Sequence, residues 1–380
     1  GYLIQVKGGL LLMQEVPYVD SQKQIRFGTL VSSLVLAGDV TQTPDTHVVH
    51  FIGERPCDAD GKPLTAVVNQ SADFPLSNGL VAKHMFSSKP PAGYPNYYEK
   101  MKTYATILAG HAAVVRPGIR SAVTRLPEEE EQEECVFNYV ETASDRVGIG
   151  ALTELLKPER VAIIGLGGTG SYVLDFVAKT PVREIRLFDG DEFLQHNAFR
   201  APSAPTIDEL RAAPKKVEYF KGIYSKMHRG IQPHPMKIDT TTMHLLDGIT
   251  FAFICIDGGD AKKAIVEKLE ALGVPFIDVG MGLELTDGSL GGIIRMTAST
   301  PEKREHVHNG RISLGDGGGQ NLYSSNIQVA DLNALNAVLA VIKWKKIRGF
   351  YRDLEKEHHC TYTTDGNMLL NGDLEGEDEA

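Results

Sequence analysis

The sequence predicts two domains, an α/β domain with a mostly parallel sheet and, before it, a smaller α+β domain. Its clearest feature is the apolar run 161–164, which leads into a glycine-rich turn and then into residues 171–179 with helical spacing. Two more apolar runs, 184–188 and 251–256, each end in an aspartate. Short apolar runs bounded by turn residues are typical of buried parallel strands. A chain of 380 residues exceeds one average domain, so two domains are expected.

The glycine-rich turn predicts a nucleotide site of the Rossmann-like type. Glycine allows the chain to turn sharply after a strand and allows a ligand to approach the backbone, while the first amides of the following helix face that ligand. Mononucleotides and dinucleotides are both bound in this way, so the turn alone does not choose between them. The glycines concerned are Gly165, Gly167, Gly168 and Gly170.

Polar residues after the apolar run 184–188 bear on the choice of nucleotide. Asp189 and Asp191 stand at the end of that predicted strand, where an acidic side chain is placed to accept hydrogen bonds from ribose hydroxyls. Asn197 and Arg200 follow within the next ten residues. A dinucleotide enzyme would usually continue without a further set of required polar side chains, so these residues favour a different ligand.

Further charged positions lie downstream. Lys215 and Lys216 are adjacent, and the apolar run 251–256 ends at Asp257. Cations and an amide after a ribose-binding acid suit a triphosphate better than a pyrophosphate bridge, because a triphosphate carries more charge. An aspartate at the end of a parallel strand is well placed to hold Mg²⁺, which prefers carboxylate oxygen.

This ordered set of residues resembles the ThiF/MoeB family of adenylyltransferases, which includes the adenylation domain of ubiquitin-activating enzymes. The resemblance covers about residues 140–350. It implies that the glycine run is the nucleotide loop, that Asp189 binds the ribose, and that Asn197 and Arg200 contact phosphate. Lys216 matches the phosphate-binding lysine of the family, although Lys215 is an alternative.

The resemblance also implies two further roles and an activity. Asp257 matches the Mg²⁺-binding aspartate that catalysis requires, and Arg146 lies where the family carries an arginine that reaches into the partner subunit's ATP site. The expected reaction is ATP-dependent adenylation of the C-terminal carboxylate of a ubiquitin-like (β-grasp) protein. A downstream conjugating or acceptor protein is a further expected partner. Because the chain contains one nucleotide loop, a homodimer is expected.

Two other classes of function remain open at this stage. One is an NAD(P)-dependent oxidoreductase, and the other is a nucleotide-binding scaffold without catalysis. Taken singly, each polar residue also has an ordinary structural explanation, because Asp, Asn and Lys are common in turns, at helix caps and on solvated faces. The ordered combination of acid, amide and cations favours the adenylyltransferase.

The cysteines are informative mainly by their spacing. The chain has four, with no CxxC pair, which indicates a reducing compartment and predicts no structural zinc of the kind found in many relatives. The loop in which ubiquitin-activating relatives place a nucleophilic cysteine, about residues 283–325, has none. Cys360 is the remaining alternative, since it follows two histidines, but a plain strand residue is the stronger interpretation. Cys255 is expected to be an inert core residue.

The domain boundaries follow from composition. We expect an α+β domain that binds a partner or substrate, an acidic linker, the adenylation domain and an acidic tail, at residues 1–125, 126–140, 141–370 and 371–380. Apolar spacing predicts a helix over 97–113 in the first domain and a long helix over 326–348 in the second. Cys57 suggests a conjugating-enzyme-like alternative for the first domain, but the sequence lacks the accompanying His-Pro-Asn signature.

Charge and hydropathy exclude several classes of protein. A net charge of −10 and the absence of basic tracts interleaved with aromatic residues argue against nonspecific nucleic-acid binding. No uninterrupted apolar run approaches twenty residues, so no membrane partner is expected. The first residues lack the pattern of a secretory signal, and a cytoplasmic protein is therefore expected. The histidines His306, His308, His358 and His359 fit no strong metal-ligand spacing.

Overall fold

The computed structural model describes residues 2–119, 135–314 and 327–372. The chain divides into two compact units, Gly1–Glu154 and Leu155–Ala380. Residues 141–154, which the sequence analysis assigned to the second domain, belong to the first of these units. The acidic run 128–134, the glycine-rich stretch 315–319 and the tail after residue 372 lie outside the described residues.

The first unit is an antiparallel sheet with a helix packed on it. The six-stranded sheet has the order β1-β2-β3-β6-β8-β7, and β4 pairs with β5 separately. Its elements in chain order are β1 (Leu3–Lys7), β2 (Leu10–Val19), β3 (Ile25–Ser33), β4 (Leu36–Ala37), β5 (Val40–Thr41), β6 (Val49–Ile52), β7 (Val68–Pro75), β8 (Val81–Phe86), α1 (Tyr97–Val115), α2 (Ala143–Arg146) and α3 (Gly150–Thr153). The predicted α+β architecture is confirmed.

Helix α1 provides one side of the core of this unit. It begins after Asn96, whose side chain accepts a hydrogen bond from the Glu99 backbone N–H at 2.8 Å. Tyr97 is buried against the sheet, whereas Tyr98 is 67% exposed. Tyr97 lies four residues before the buried Met101, so it shares that face of the helix.

The second unit has helices on both faces of an eight-stranded sheet. Its elements in chain order are β9 (Arg160–Ile164), α4 (Gly168–Val177), β10 (Glu184–Phe188), α5 (Gln195–Ala198), α6 (Ile207–Ala212), α7 (Lys216–Tyr224), β11 (Ile231–His234), β12 (Phe251–Ile254), α8 (Asp260–Ala271), β13 (Phe276–Thr286), β14 (Ser289–Ser299), α9 (Ala330–Ile347), β15 (His359–Thr363) and β16 (Met368–Asn371). The predicted Rossmann-like fold is confirmed.

The order of the strands in the sheet determines where a ligand-binding crevice is expected. The strands run in the order β11-β10-β9-β12-β13-β14-β15-β16, and the first five are parallel, while β14 to β16 are antiparallel. Strand β9 pairs with β10 on one side and with β12 on the other. The strand order therefore reverses at β9, and ligands of such sheets bind in the crevice at the carboxyl ends of the strands beside that point.

Two buried clusters hold the helices against the sheet. On one face, α4, α7 and α9 contribute residues that include Leu174, Phe220 and Trp344. On the other face, α8 contributes Ile265 and Leu269. Strands β9 and β12 are buried on both sides, which explains their continuous apolar runs. None of the helices in the described ranges is long and apolar enough to cross a membrane.

Candidate nucleotide site

A cleft of about 520 Å³ opens at the carboxyl ends of β9, β10, β12 and β13. Its size is within the range of pockets that hold small molecules and cofactors. Residues Asp189 to Asp191, Arg200, Lys216 and Lys237 form a charged wall on the β10 side. The opposite wall is formed by β13 and α9 and is mostly apolar. The cleft therefore has a charged end and an apolar end.

Two glycines of the predicted loop are required by backbone geometry. Gly165 has φ +90°, and a Cβ there would lie 2.6 Å from the Cys255 carbonyl oxygen. A Cβ on Gly170 would lie 1.9 Å from the Gly165 carbonyl oxygen, so only glycine allows α4 to pack this closely against the turn. Gly167 differs, because a Cβ there would meet no atom within 4 Å. Gly167 lines the cleft, so its open side is the side from which a ligand approaches.

Asp189 at the end of β10 is held by main-chain donors. Its Oδ2 accepts a hydrogen bond from the Leu166 N–H and its Oδ1 accepts one from the Asp191 N–H, each at 2.8 Å. Its side chain is 8% exposed. The carboxylate therefore ties the glycine turn to the end of the neighbouring strand. Because each carboxylate oxygen has two lone pairs, Asp189 keeps acceptor capacity toward the cleft.

Asp191 and Lys216 form an ion pair at the charged wall. The Lys216 Nζ lies 2.9 Å from the Asp191 Oδ2 and 3.5 Å from the Asp189 Oδ2. The hydrogen bond from Lys216 lowers the pKa of Asp191, and the charges of Lys237 and Lys215 act in the same direction. Asp191 is the more accessible of the two acids, with a side chain 56% exposed.

The two adjacent lysines have different positions. Lys216 is the first residue of α7, is buried, and lines the cleft. Lys215 is 43% exposed, and its Nζ donates to the Gly190 carbonyl oxygen at 2.9 Å. Lys215 lines only a second, more open depression next to the cleft. Of the two adjacent lysines, Lys216 is therefore the one that lines the main cleft.

Arg200 and Asp257 line the same cleft, and their charges interact. Burial lowers the pKa of the Arg200 guanidinium, while the charge of Asp257 raises it. The Arg200 Nε is buried and has no hydrogen-bond partner among the described residues. Asp257 follows β12 and is exposed. A buried donor left without a partner costs about 1–3 kcal/mol, so this arginine is placed for an anionic ligand.

Asn197 has a structural explanation in the chain itself. Its Oδ1 accepts a hydrogen bond from the Leu194 N–H at 2.9 Å and so caps the short helix α5. It is 3% exposed and lines the shallow depression that shares Asp191, Arg200 and Lys216 with the cleft. Asn197 thus stands next to the charged wall rather than in the main cleft.

Arg146 and Cys360, two candidate site residues from the sequence analysis, do not line the cleft. Arg146 belongs to the first unit, where its Nε pairs with the Asp45 Oδ2 at 2.8 Å. Cys360 lies on β15 opposite Met296 and is 4% exposed. The pKa of the Cys360 thiol is raised to about 11, mainly because the side chain is buried. A buried thiol with a raised pKa is a poor nucleophile, so the strand interpretation of Cys360 fits its position.

Cys57 and Cys255 have raised pKa values. Cys57 is 1% exposed, and burial raises its pKa, which counts against a conjugating-type nucleophile in the first unit. Cys255 is partly buried under the glycine turn, and burial raises its pKa as well. Within residues 2–119, 135–314 and 327–372, no group of three or more His, Cys, Asp or Glu residues is arranged to hold a metal ion.

Three cleft residues were missed by the sequence analysis. Lys237 follows β11, and its Nζ lies 3.8 Å from the Asp191 Oδ1. Asn333 and Asn336 are almost fully buried on α9 and line the opposite wall. Their signal in the sequence was a pair of amides three residues apart on the apolar face of a helix. Buried amides require partners, so such a pair indicates a polar contact.

Comparisons with known proteins divide the chain near residue 141. Residues 1–142 match a domain of unknown function (DUF6791), and residues 141–307 match the ThiF family. Ubiquitin-like modifier-activating enzyme 5 of Culex quinquefasciatus is 23% identical over 159 residues, which are 39% of this chain and 40% of that protein. The protein of the same name from Caenorhabditis elegans is 24% identical over 216 residues, which are 53% of this chain and 44% of that protein. The matched segments thus span less than half of each relative.

Solved structures that resemble this chain include E. coli MccB with ATP, at 20% identity and a TM-score of 0.45. The aligned residues cover 59% of this chain and 66% of the MccB chain. PaaA is 19% identical, with a TM-score of 0.47, and covers 60% of this chain and 67% of that one. The family match over 141–307 confirms the resemblance predicted from the sequence. Residues 141–307 of this chain are therefore a ThiF family domain, preceded by a domain of unknown function.

Proposed function

We propose that the ThiF domain uses ATP to adenylate the C-terminal carboxylate of a small ubiquitin-like protein. The observation that carries this proposal is the partly buried Arg200, whose Nε has no partner among the described residues and which lines one cleft with the buried Lys216 and the glycine turn. Cations held in this way suit a ligand with several negative charges. The curated relatives support a ubiquitin-like partner, since both are named as ubiquitin-like modifier-activating enzymes.

The cleft residues fit ATP. The open side of Gly167 and the first amides of α4 would face the phosphates. Arg200 and Lys216 would neutralise phosphate charge, and Asn197 would contact the same region from the adjoining depression. Asp189 and Asp191 would accept hydrogen bonds from the ribose hydroxyls.

Asp257 would hold Mg²⁺. It is a single carboxylate, and Mg²⁺ is usually bound by one or two carboxylates together with substrate phosphates and water. When bound there, the ion would withdraw charge from phosphate oxygens. The Asp257 side chain is exposed at the end of β12 and lines the cleft, so it is accessible to such an ion.

The chemistry requires positioning and charge neutralisation. The substrate carboxylate is ionised at neutral pH, so it needs no general base to act as a nucleophile. One carboxylate oxygen attacks the α-phosphorus of ATP, a new P–O bond forms, and the bond to the β-phosphate oxygen breaks to release pyrophosphate. Arg200 and Lys216 would stabilise the negative charge that moves onto the leaving group.

The test is ATP–pyrophosphate exchange measured against candidate ubiquitin-like proteins encoded near this gene. Exchange that depends on one such protein and on its free C-terminal carboxylate is the expected result. A version of that protein with an amidated C terminus serves as the matched control. Exchange that is unchanged by amidation would contradict a reaction at the carboxylate.

Nucleotide preference separates this function from an oxidoreductase. Because Arg200 and Lys216 provide phosphate-binding cations, we expect the protein to bind MgATP tightly and NADH negligibly. Calorimetry with both ligands at the same ionic strength gives the comparison. Preference for NADH would place the protein among NAD(P)-dependent oxidoreductases. Tight MgATP binding without exchange for any carboxylate substrate would indicate a nucleotide-binding scaffold.

We expect a homodimer, because the chain carries one glycine-rich nucleotide loop. Arg146 would then complete the site of the partner subunit after releasing Asp45, with which it pairs at 2.8 Å. Light scattering at micromolar concentration is expected to give twice the mass of 41.5 kDa. A fully active monomer would contradict both the assembly and the role of Arg146.

We expect an acyl adenylate to form without an obligatory thioester. Cys57 and Cys360 are buried, and their pKa values are raised. Incubation with MgATP and the cognate protein, followed by non-reducing electrophoresis, is expected to show no adduct, while exchange proceeds. An adduct lost in Cys360→Ala would identify a nucleophile on β15. An adduct lost in Cys57→Ala would support a conjugating-type role for the first unit.

A further inference from the structure

The wall of the cleft opposite the cations contains two buried amides with unfilled hydrogen bonds. Asn333 is 1% exposed and Asn336 is 0% exposed, and both line the cleft. The Asn333 Nδ2 and the Asn336 Oδ1 have no partner among the described residues. One is a donor and the other is an acceptor. Leaving such atoms unpaired in a buried position is unfavourable, so the pair is placed for a ligand.

The other polar atom of each amide makes a hydrogen bond within the chain. The Asn333 Oδ1 accepts a hydrogen bond from the Thr169 hydroxyl at 2.9 Å. The Asn336 Nδ2 donates to the Gly280 carbonyl oxygen at 3.0 Å. The second bond fixes the orientation of the Asn336 amide, because a flipped amide would bring two oxygens together. The free acceptor of Asn336 is thus determined by its contact with β13.

The free donor of Asn333 lies at the glycine turn. A Cβ on residue 168 would lie 2.0 Å from the Asn333 Nδ2, so this nitrogen occupies the space beside Gly168 at the N terminus of α4. The donor therefore adds to the helix amides that favour a negatively charged oxygen. Asn336 lies three residues further along α9, about 4.5 Å along the helix axis. Val279 and Met281 of β13 line the same cleft as Asn336.

We infer that Asn333 and Asn336 bind the last residue of the acyl substrate through its main chain. In this arrangement Asn333 donates to a carboxyl oxygen next to the glycine turn, and Asn336 accepts a hydrogen bond from the main-chain N–H of the same residue. A peptide terminus presents a carboxylate acceptor and an N–H donor within one residue, which matches the free donor and the free acceptor. The inference rests on the proposed adenylation and adds a requirement that the terminal residue has an N–H.

An adenine base also presents a donor and an acceptor, but its expected place differs. The Asn333 nitrogen lies at the glycine turn, where the proposed function places phosphate, and the two asparagines are on the wall opposite the charged residues of β10. The β10 end is where the ribose-binding acids stand. The asparagine wall therefore lies on the acyl side of the cleft.

The test uses stable mimics of an acyl adenylate with the full chain. One probe is N-acetylglycyl-sulfamoyl-adenosine, and the other carries N-acetylsarcosine, in which a methyl group replaces the N–H. Glycine is chosen because it is the smallest residue and needs no side-chain pocket. Calorimetry is expected to show the wild-type protein binding the glycyl probe about tenfold more tightly than the sarcosyl probe, since one buried hydrogen bond is lost.

Asn336→Leu, which is close in shape, is expected to bind the two probes equally and to bind AMP like the wild type. Asn333→Asp is expected to weaken the binding of both acyl probes by a similar factor. The reason is that the added negative charge would face the carboxyl oxygen of the probe. Equal binding of the two probes by the wild type would overturn the inference without any variant. Weaker AMP binding by Asn336→Leu would overturn it in favour of a base contact. Failure of the wild type to bind AMP or either probe would instead contradict the proposed adenylation.

Discussion

Asp257→Asn is expected to leave the fold intact and to lower ATP–pyrophosphate exchange at least about a hundredfold, the scale for removing a key electrostatic group. The substitution keeps the shape of the side chain and removes its charge. Asp257 is exposed after β12, so its loss leaves no buried group without a partner. Its charge acts on Arg200 in the same cleft, where the Mg²⁺ and phosphate charges of the proposed reaction would meet.

A matched control is available in the same segment. Asp260 is the first residue of α8, three positions further along, and does not line the cleft. Asp260→Asn removes the same charge three residues away and is expected to leave exchange unchanged. Circular dichroism and thermal unfolding would confirm that both variants fold. Near-normal exchange in Asp257→Asn would remove Asp257 from the mechanism.

The part of the site that was predictable from the sequence is local. Residues 161–170 form one strand, one turn and the start of one helix, so their apolar run and glycine spacing define the structure without long-range information. Asp189 and Asp257 were predictable for a related reason. The carboxyl ends of parallel strands meet at one edge, so an aspartate at each strand end lies near the others.

The part that was not predictable depends on long-range packing. Lys237 reaches the cleft because β11 pairs with β10. Asn333 reaches it because α9 packs on α4, more than 150 residues earlier in the chain. Neither position belongs to a local motif. Arg146 pairs with Asp45 in the folded chain, and its role at a partner's site stays a prediction.

Edge strands were also hard to predict. Strand β7 forms an edge of the first sheet, and six of its eight residues, from Asn69 to Pro75 except Phe74, are exposed. Such a strand has neither the continuous apolar run of a buried parallel strand nor the alternation of a half-buried one. Strand β16 at the edge of the second sheet, Met368–Asn371, was missed for the same reason, since its apolar residues are about half exposed.

Arg200→Met is expected to lower exchange by about a hundredfold or more while leaving the melting temperature unchanged or higher. The activity falls because a cation that stabilises phosphate charge is lost. The stability does not fall because the buried Arg200 Nε makes no hydrogen bond in the described part of the chain, and removing such a group removes its desolvation cost of about 1–3 kcal/mol. Loss of activity with retained stability is typical of a residue kept for function.

Arg186 on β10 provides the contrasting variant. Its Nε lies 2.6 Å from the Glu184 Oε1, and its Nη1 donates to the carbonyl oxygens of Leu245 and Asp247 at 2.7 and 2.9 Å. Arg186→Met is therefore expected to lower the melting temperature, because three acceptors lose their donor, and to leave the exchange rate per folded molecule unchanged. Parallel unfolding curves and exchange rates for both variants show whether Arg200 contributes to the reaction or to the stability of the fold. If Arg200→Met destabilised the protein as Arg186→Met does and kept full exchange, Arg200 would be a structural residue and the phosphate site would have to lie elsewhere.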